Sequence, residues 1–341
     1  MTRNDPDRLG GLSAGLDTLA EGPAPASTVD VGLALRTGRR RLRRRRAVVV
    51  GAVCSLALAV GFAAAGLPGG PLGGGGHTVV VPQAPVPGKD PLVVHATFGW
   101  LPDSIAGVGY DAGYEDPDGP VATAMGAQEN AERIILTLYP AGVTPQIGTA
   151  ADGSRQYRVD TGPIQGGSAY WLTKNPADPA GGDDSYLRWQ TPGGRWAEVH
   201  AYYQPTGSDR VGTLRRVAAD VKVGDYAVPL PVHISSLPSD MVPDQVDLSR
   251  QAEHGTMTWN LEMIYKVGNT SVSLFAFPAA GTGPGSGQVC TVAKGLHLCV
   301  WTDPGAPLPP SVADIGGAKG LLARMTSLGT DERNWTTAVV G

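Results

Sequence analysis

Histidine is sparse in this sequence, and nowhere does it gather. His77, His95, His200, His233, His254 and His297 stand singly, with no H-x-x-x-H or H-E-x-x-H spacing, so no helical metal-binding motif is written here. The first 46 residues contain neither histidine nor cysteine, which excludes a zinc-binding domain in that stretch. Residues 47–66 lack any ionisable side chain other than Cys54. The glycine run 73–76 has no preceding strand and no following Lys-Ser/Thr, so it is not a phosphate loop, and no other stretch suggests a cofactor. Gly11-Leu12-Ser13-Ala14-Gly15 matches the G-x-S-x-G pattern of hydrolase nucleophiles, but no strand precedes it to make the required strained elbow.

What is present divides the chain by charge. Residues 1–46 hold 10 of the 27 Lys+Arg and 5 of the 31 Asp+Glu, a net of +5, and the remainder carries −9. Arg39, Arg40, Arg41, Arg43, Arg44, Arg45 and Arg46 abut the apolar run AVVVGAVCSLALAVGFAAAG at 47–66. About 20 apolar residues suffice for a helix to cross a hydrocarbon core, and arginine stays on the cytoplasmic side. The sequence therefore predicts a single-pass cell-membrane protein with a cytoplasmic N-terminus, a transmembrane helix at 47–66 and residues 67–341 extracellular. The seven arginines would contact anionic lipid head groups. Nucleic acid is disfavoured as a partner, because the only basic patch sits against the membrane and the exterior is acidic.

Other readings of 47–66 compete with the anchor. A cleaved signal peptide could use Ala63-Ala64-Ala65, although a 46-residue leader is unusually long. Arg39-Arg40-Arg41-Leu42 resembles a twin-arginine signal, yet an unbroken arginine run contains such a pair by chance. Cys54 follows Val53 and lies early in the run, which fits a small apolar filler better than a lipidation site. In the cytoplasmic tail, 1–46, Leu9, Leu12, Leu16 and Leu19 fall at helical spacing and could meet a cytoplasmic partner, but Gly10, Gly11 and Gly15 oppose a helix and favour disorder.

Residues 67–91 are rich in Gly and Pro and read as a linker, with folded chain beginning near Pro91. From there the period is two. Met257, Trp259, Leu261, Met263 and Tyr265 share one face of residues 256–266, and Gly268-Asn269 supplies a type II′ turn into residues 270–278. Residues 133–139, 155–160, 169–173, 186–190 and 195–203 read as further strands. Pairing outward from Lys294-Gly295 opposes Ala293 to Leu296, Val292 to His297, Thr291 to Leu298 and Cys290 to Cys299. That register places the two cysteines at a non-hydrogen-bonded position, within disulfide reach. A disulfide is expected in an oxidising compartment, and two free buried thiols are the alternative.

Two amphipathic helices are predicted, at 208–223 with Ser208 as N-cap and at 311–328 with Leu321, Leu322, Met325 and Leu328 on its apolar side. Trp189-Gln190-Thr191-Pro192-Gly193 precedes the first, and Trp301-Thr302-Asp303-Pro304-Gly305 precedes the second. Each half also opens on a strand ending in Leu-Pro, at Leu101-Pro102 and Leu237-Pro238. The expected fold is α+β: two similar units, 92–228 and 229–341, each a curved antiparallel sheet packed on its C-terminal helix.

The arginine block, Ala/Val-rich anchor, Gly/Pro spacer and ectodomain together resemble uncharacterised single-pass membrane-anchored proteins of actinomycetes. The Leu-Pro openings and the tryptophan phrase before LRRVAADV or LLARMTSL are similar to extracytoplasmic domains of unknown function on membrane-bound regulators, including some anti-sigma factors. This resemblance implies sensing or binding of an envelope ligand or protein, and it brings no catalytic residues. The zinc-binding cytoplasmic domain of many anti-sigma factors has no counterpart in residues 1–46. An anchored envelope enzyme or wall-binding module is the alternative. Trp171, Trp189, Trp196, Tyr202 and Tyr203 could line a sugar or lipid groove, although core packing explains them as well. Glu115, Asp116 and Asp118, or Asp183-Asp184, could approach calcium but fall short of a full ligand set.

Overall fold

The computed structural model describes residues 77–78, 84–113, 120–128, 131–150, 153–182, 185–203, 209–253, 256–281 and 283–341. The predicted tail, the anchor at 47–66, the seven arginines and the acidic groups Glu115, Asp116 and Asp118 and Asp183-Asp184 lie outside these residues. Among the described residues no helix is long and apolar enough to cross a membrane.

In chain order the elements are β1 (His77–Thr78), β2 (Val93–Thr97), β3 (Trp100–Leu101), β4 (Gly107–Gly113), β5 (Pro120–Met125), β6 (Arg133–Leu138), β7 (Tyr157–Ile164), β8 (Gly167–Thr173), β9 (Tyr186–Gln190), β10 (Trp196–Tyr202), α1 (Arg210–Asp220), β11 (Lys222–Ala227) and β12 (Val232–Ile234). The second half continues with β13 (Val242–Glu253), β14 (Thr256–Val267), β15 (Thr270–Pro278), β16 (Val289–Ala293), β17 (Leu296–Thr302), α2 (Pro310–Asp314), α3 (Gly317–Leu322) and β18 (Met325–Ser327). Antiparallel sheet dominates. Twelve strands join in the order β16-β17-β15-β14-β13-β4-β5-β6-β10-β9-β8-β7.

Period-two alternation sorts the two faces of this sheet. Ala197, Val199 and Ala201 of β10, Leu187 and Trp189 of β9, and Trp259, Leu261, Met263 and Tyr265 of β14 are buried in one continuous core. Each fully buried leucine there contributes about 1.5–3 kcal/mol through lost contact with water. α1 closes the core of the first half with Leu214, Val217 and Ala218. Its N-cap is Asp209, which accepts the Gly212 N–H at 2.8 Å, and not the expected Ser208. The β14–β15 hairpin turns at Gly268 with φ +59°, the left-handed region that a type II′ turn requires at its first position.

The two halves share a connectivity. In the first, β4-β5-β6 form a meander and β10 returns beside β6, carrying β9 outside it; in the second, β13-β14-β15 form a meander and β17 returns beside β15, carrying β16. The hairpin β7-β8 is an addition to the first half. Each half also opens on a short strand that pairs with the strand after its helices, β2 with β11 and β12 with β18. Both Leu-Pro sites make the same turn: Pro102 C=O accepts the Ile105 N–H and Pro238 C=O accepts the Met241 N–H, each at 3.0 Å.

Four expectations are corrected. The halves do not carry separate sheets, since β4 pairs with β13 and joins 92–228 to 229–341 in one sheet over one core. The tryptophan phrases are not equivalent: each tryptophan is the penultimate residue of its strand, but Trp189 lies on β9 and faces the core, whereas Trp301 lies on β17, the counterpart of β10, and is half-buried. The helix expected at 311–328 is broken. Gly316 and Gly317 take φ +91° and +66°, so α2 and α3 are separate short helices, and Met325 enters a strand. Lastly, ordered contacts begin before Pro91, because His77–Thr78 pairs with β3 and Lys89 C=O accepts the Val339 and Val340 N–H groups at 3.0 Å each.

Candidate binding face

The face of the sheet turned away from the core differs sharply between the halves. On the first half, pairing within the β9–β10 hairpin sets Glu198 opposite Arg188. Arg188 Nε donates to Glu198 Oε2 at 2.5 Å, with both side chains only 9% exposed. Tyr139, just after β6, donates its hydroxyl to the same carboxylate oxygen at 3.0 Å, and Arg188 Nη1 donates to Gln146 C=O at 2.9 Å. Arg195 Nε reaches Tyr139 C=O at 2.9 Å. Burial raises the Tyr139 phenol above its ordinary range, and Glu198 raises it further. Burial works against the charge of Arg188, but Glu198 outweighs it and the guanidinium is held charged above its usual value.

Aromatic rings flank this ionic centre. His200 packs between Tyr186 and Tyr202, with ring centroids 4.0 Å from each, and Tyr203 continues the row 6.3 Å beyond Tyr202. Tyr203 is 52% exposed and holds φ +52°, a region uncommon for a residue with a side chain. On the other side Tyr170 meets Trp196 edge-on at 5.6 Å, and Arg158 stands 4.4 Å over the Tyr170 ring.

The structure divides the tryptophans and tyrosines proposed for a groove. Trp171 and Trp189 are buried in the core, so they line nothing; Trp196, Tyr202 and Tyr203 come to the outer face. The Arg188–Glu198 pair was missed, because the β9–β10 hairpin turns through three residues, Pro192-Gly193-Gly194, and the two-residue count that opposes Cys290 to Cys299 does not give that register. Cys290 and Cys299 face each other with Cα atoms 4.1 Å apart at disulfide geometry. His95 Nδ1 and Asp225 Oδ1 lie 2.6 Å apart, but both side chains are more than half exposed. Among the described residues no three His, Cys, Asp or Glu side chains are placed to hold a metal ion.

No protein-family model and no curated protein matches the chain. Solved structures to which it is similar include MucB, at 12% identity over 66% of this chain and 92% of that chain, with a TM-score of 0.22. MucB in complex with MucA(peri) is similar at 11% identity over 64% and 86%, with a TM-score of 0.20. The MucA/MucB complex of Pseudomonas aeruginosa gives 12% over 64% and 87%, with a TM-score of 0.19. At these values the likeness carries no inference about role.

Proposed function

We propose that residues 84–341 are the extracytoplasmic, non-catalytic binding domain of a single-pass membrane protein, and that a protein partner in the cell envelope docks on the outer face of β8, β9 and β10. The observation that carries this reading is the row Tyr186, His200, Tyr202 and Tyr203 beside a buried, fully engaged ion pair. Tyr, Trp and Arg dominate protein-binding hot spots because they bury large area at low entropic cost. The Arg188–Glu198–Tyr139 network presets the backbone beneath them, so little ordering remains to be done on association. The apolar run 47–66 and its arginines support the membrane placement, with the head-group contacts and a cytoplasmic partner for residues 1–46 as parts of the same reading.

Site-specific photo-crosslinking in the full-length chain tests the face. With benzoylphenylalanine at Tyr203, a discrete protein adduct is expected in intact cells, and at Val292 on the opposite end of the sheet none. Equal adducts at both positions, or none at Tyr203, would sink the assignment. Homogeneous glycan bound to the purified chain in native mass spectrometry would instead give the face to a wall polymer, since aromatic rows also stack on sugars.

A further inference from the structure

The join between the halves carries a second feature, independent of the binding face. Among the described residues four register pairs connect β4 to β13: Gly113 with Gln245, Ala112 with Val246, Asp111 with Asp247 and Tyr110 with Leu248. The neighbouring β13–β14 pairing runs from Val242 to Glu253. At the middle of the short join two carboxyl groups stand directly opposite, and the next strand sets Glu262 opposite Asp247 on its other side. Three carboxyl groups therefore lie in one row across β4, β13 and β14, on the face turned away from Val246, Leu248 and Leu261 in the core.

We propose that this row makes the β4–β13 join a pH-responsive seam: a proton held between Asp111 and Asp247 keeps the halves joined, and its loss weakens the pairing there. Asp247 stands directly opposite Asp111 in the ladder, where facing side chains meet, and two facing carboxyl groups hydrogen-bond only when one of them is protonated. Like charges at this separation cannot both ionise cheaply.

Among the described residues the surrounding groups offer polar contacts and no counter-charge to Asp247. Ser249, on the same strand, lies beside Asp247 and donates its hydroxyl to Asn260 C=O at 3.2 Å, and Gln245 Nε2 donates to Asp111 Oδ2 at 3.4 Å. β15 presents Phe275 opposite Glu262, and β5 contributes Val121 and Thr123 beside β4. Lys266 of β14 is engaged with Asp244 at 2.8 Å. Glu115, Asp116 and Asp118 follow β4 in sequence, outside the described residues. Burial, then Asp111 and Glu262, push the Asp247 carboxyl up to about 8. The outer two acids lie two strand spacings apart, about 9–10 Å, too far to close on one cation.

The sign follows from linkage. An aspartate in the unfolded chain releases its proton near pH 4, whereas the folded seam keeps one until about pH 8. Its stabilisation is complete below pH 4 and is lost as pH rises through 8, by about tenfold in the folding constant per pH unit across that window.

Amide hydrogen exchange on the full-length chain at pH 6 and pH 9 provides the test, with the β14–β15 amides as the internal reference for intrinsic rates. Protection of residues 110–112 and 246–248 should fall relative to that reference at pH 9. Asp247→Asn, which donates to Asp111 at every pH, should abolish the relative change, and Asp111→Asn serves where the first variant does not fold. Seam amides that keep a constant ratio to the reference in the wild type, or variants that retain the wild-type pH dependence, would overturn the proposal.

Discussion

The two halves of the sheet follow one connectivity and present opposite chemistry on their outer faces. The first half adds the β7–β8 hairpin and shows aromatic rings around a satisfied ion pair, Arg188–Glu198. Its counterpart has no added hairpin, ends in the Cys290–Cys299 pair and sets Glu262 beside Asp247. Connectivity therefore follows from the core face, where alternating apolar residues bury, whereas the outer face is free to carry different groups so long as each polar atom finds a partner. In the first half a buried charge meets its opposite; in the second a half-buried carboxyl group stands between two of its like.

Substitutions that remove one partner should separate the halves most strongly. Glu198→Ala leaves Arg188 buried without its counter-charge and should cost about 3–5 kcal/mol in urea unfolding. Glu262→Gln in the second half relieves a repulsion and should be neutral or stabilising at pH 8. A loss as large as that of Glu198→Ala would break the contrast. Next in size, Leu214→Ala in α1 and Leu321→Ala in α3 each empty a fully buried site and should cost about 2–5 kcal/mol. A much smaller cost at Leu321 would mean that α3, with only six residues, does not close its half as α1 does.

Replacing Cys290 and Cys299 together by serine should lower stability by about 2–3 kcal/mol on the chain-entropy account, and reduction of the wild type should reproduce it. The smallest effects belong to local geometry. Asp209→Ala should cost about 1 kcal/mol by removing the α1 cap, and Gly268→Ala about as much by placing a side chain at φ +59°. Thermal melts of the single variants suffice to rank them.

Much of this was legible in the sequence where the signal was local. The strands at 133–138, 186–190, 196–202 and 256–267 follow directly from alternation, and the Cys290–Cys299 register from a two-residue turn. The Leu-Pro openings did mark equivalent turns. The tryptophan phrase did not, because five residues constrain too little. The break at Gly316-Gly317 was hidden by apolar spacing that continued on both sides of two glycines. Neither the single sheet nor the carboxyl row could be read, since both depend on β4 meeting β13, strands more than 130 residues apart with nothing local to set their pairing. Of the candidate face, Trp196, Tyr202 and Tyr203 were visible as residue types; their separation from Trp171 and Trp189 required the alternation to be resolved into inside and outside.

Pulse-labelled hydrogen exchange with mass spectrometry, followed through a urea titration at pH 6, tests the shared sheet most directly. Peptides from 92–228 and from 229–341 should lose protection together in one transition, because one sheet and one core span both. A populated form with one half exchanged and the other protected would contradict this and return the chain to two independent units.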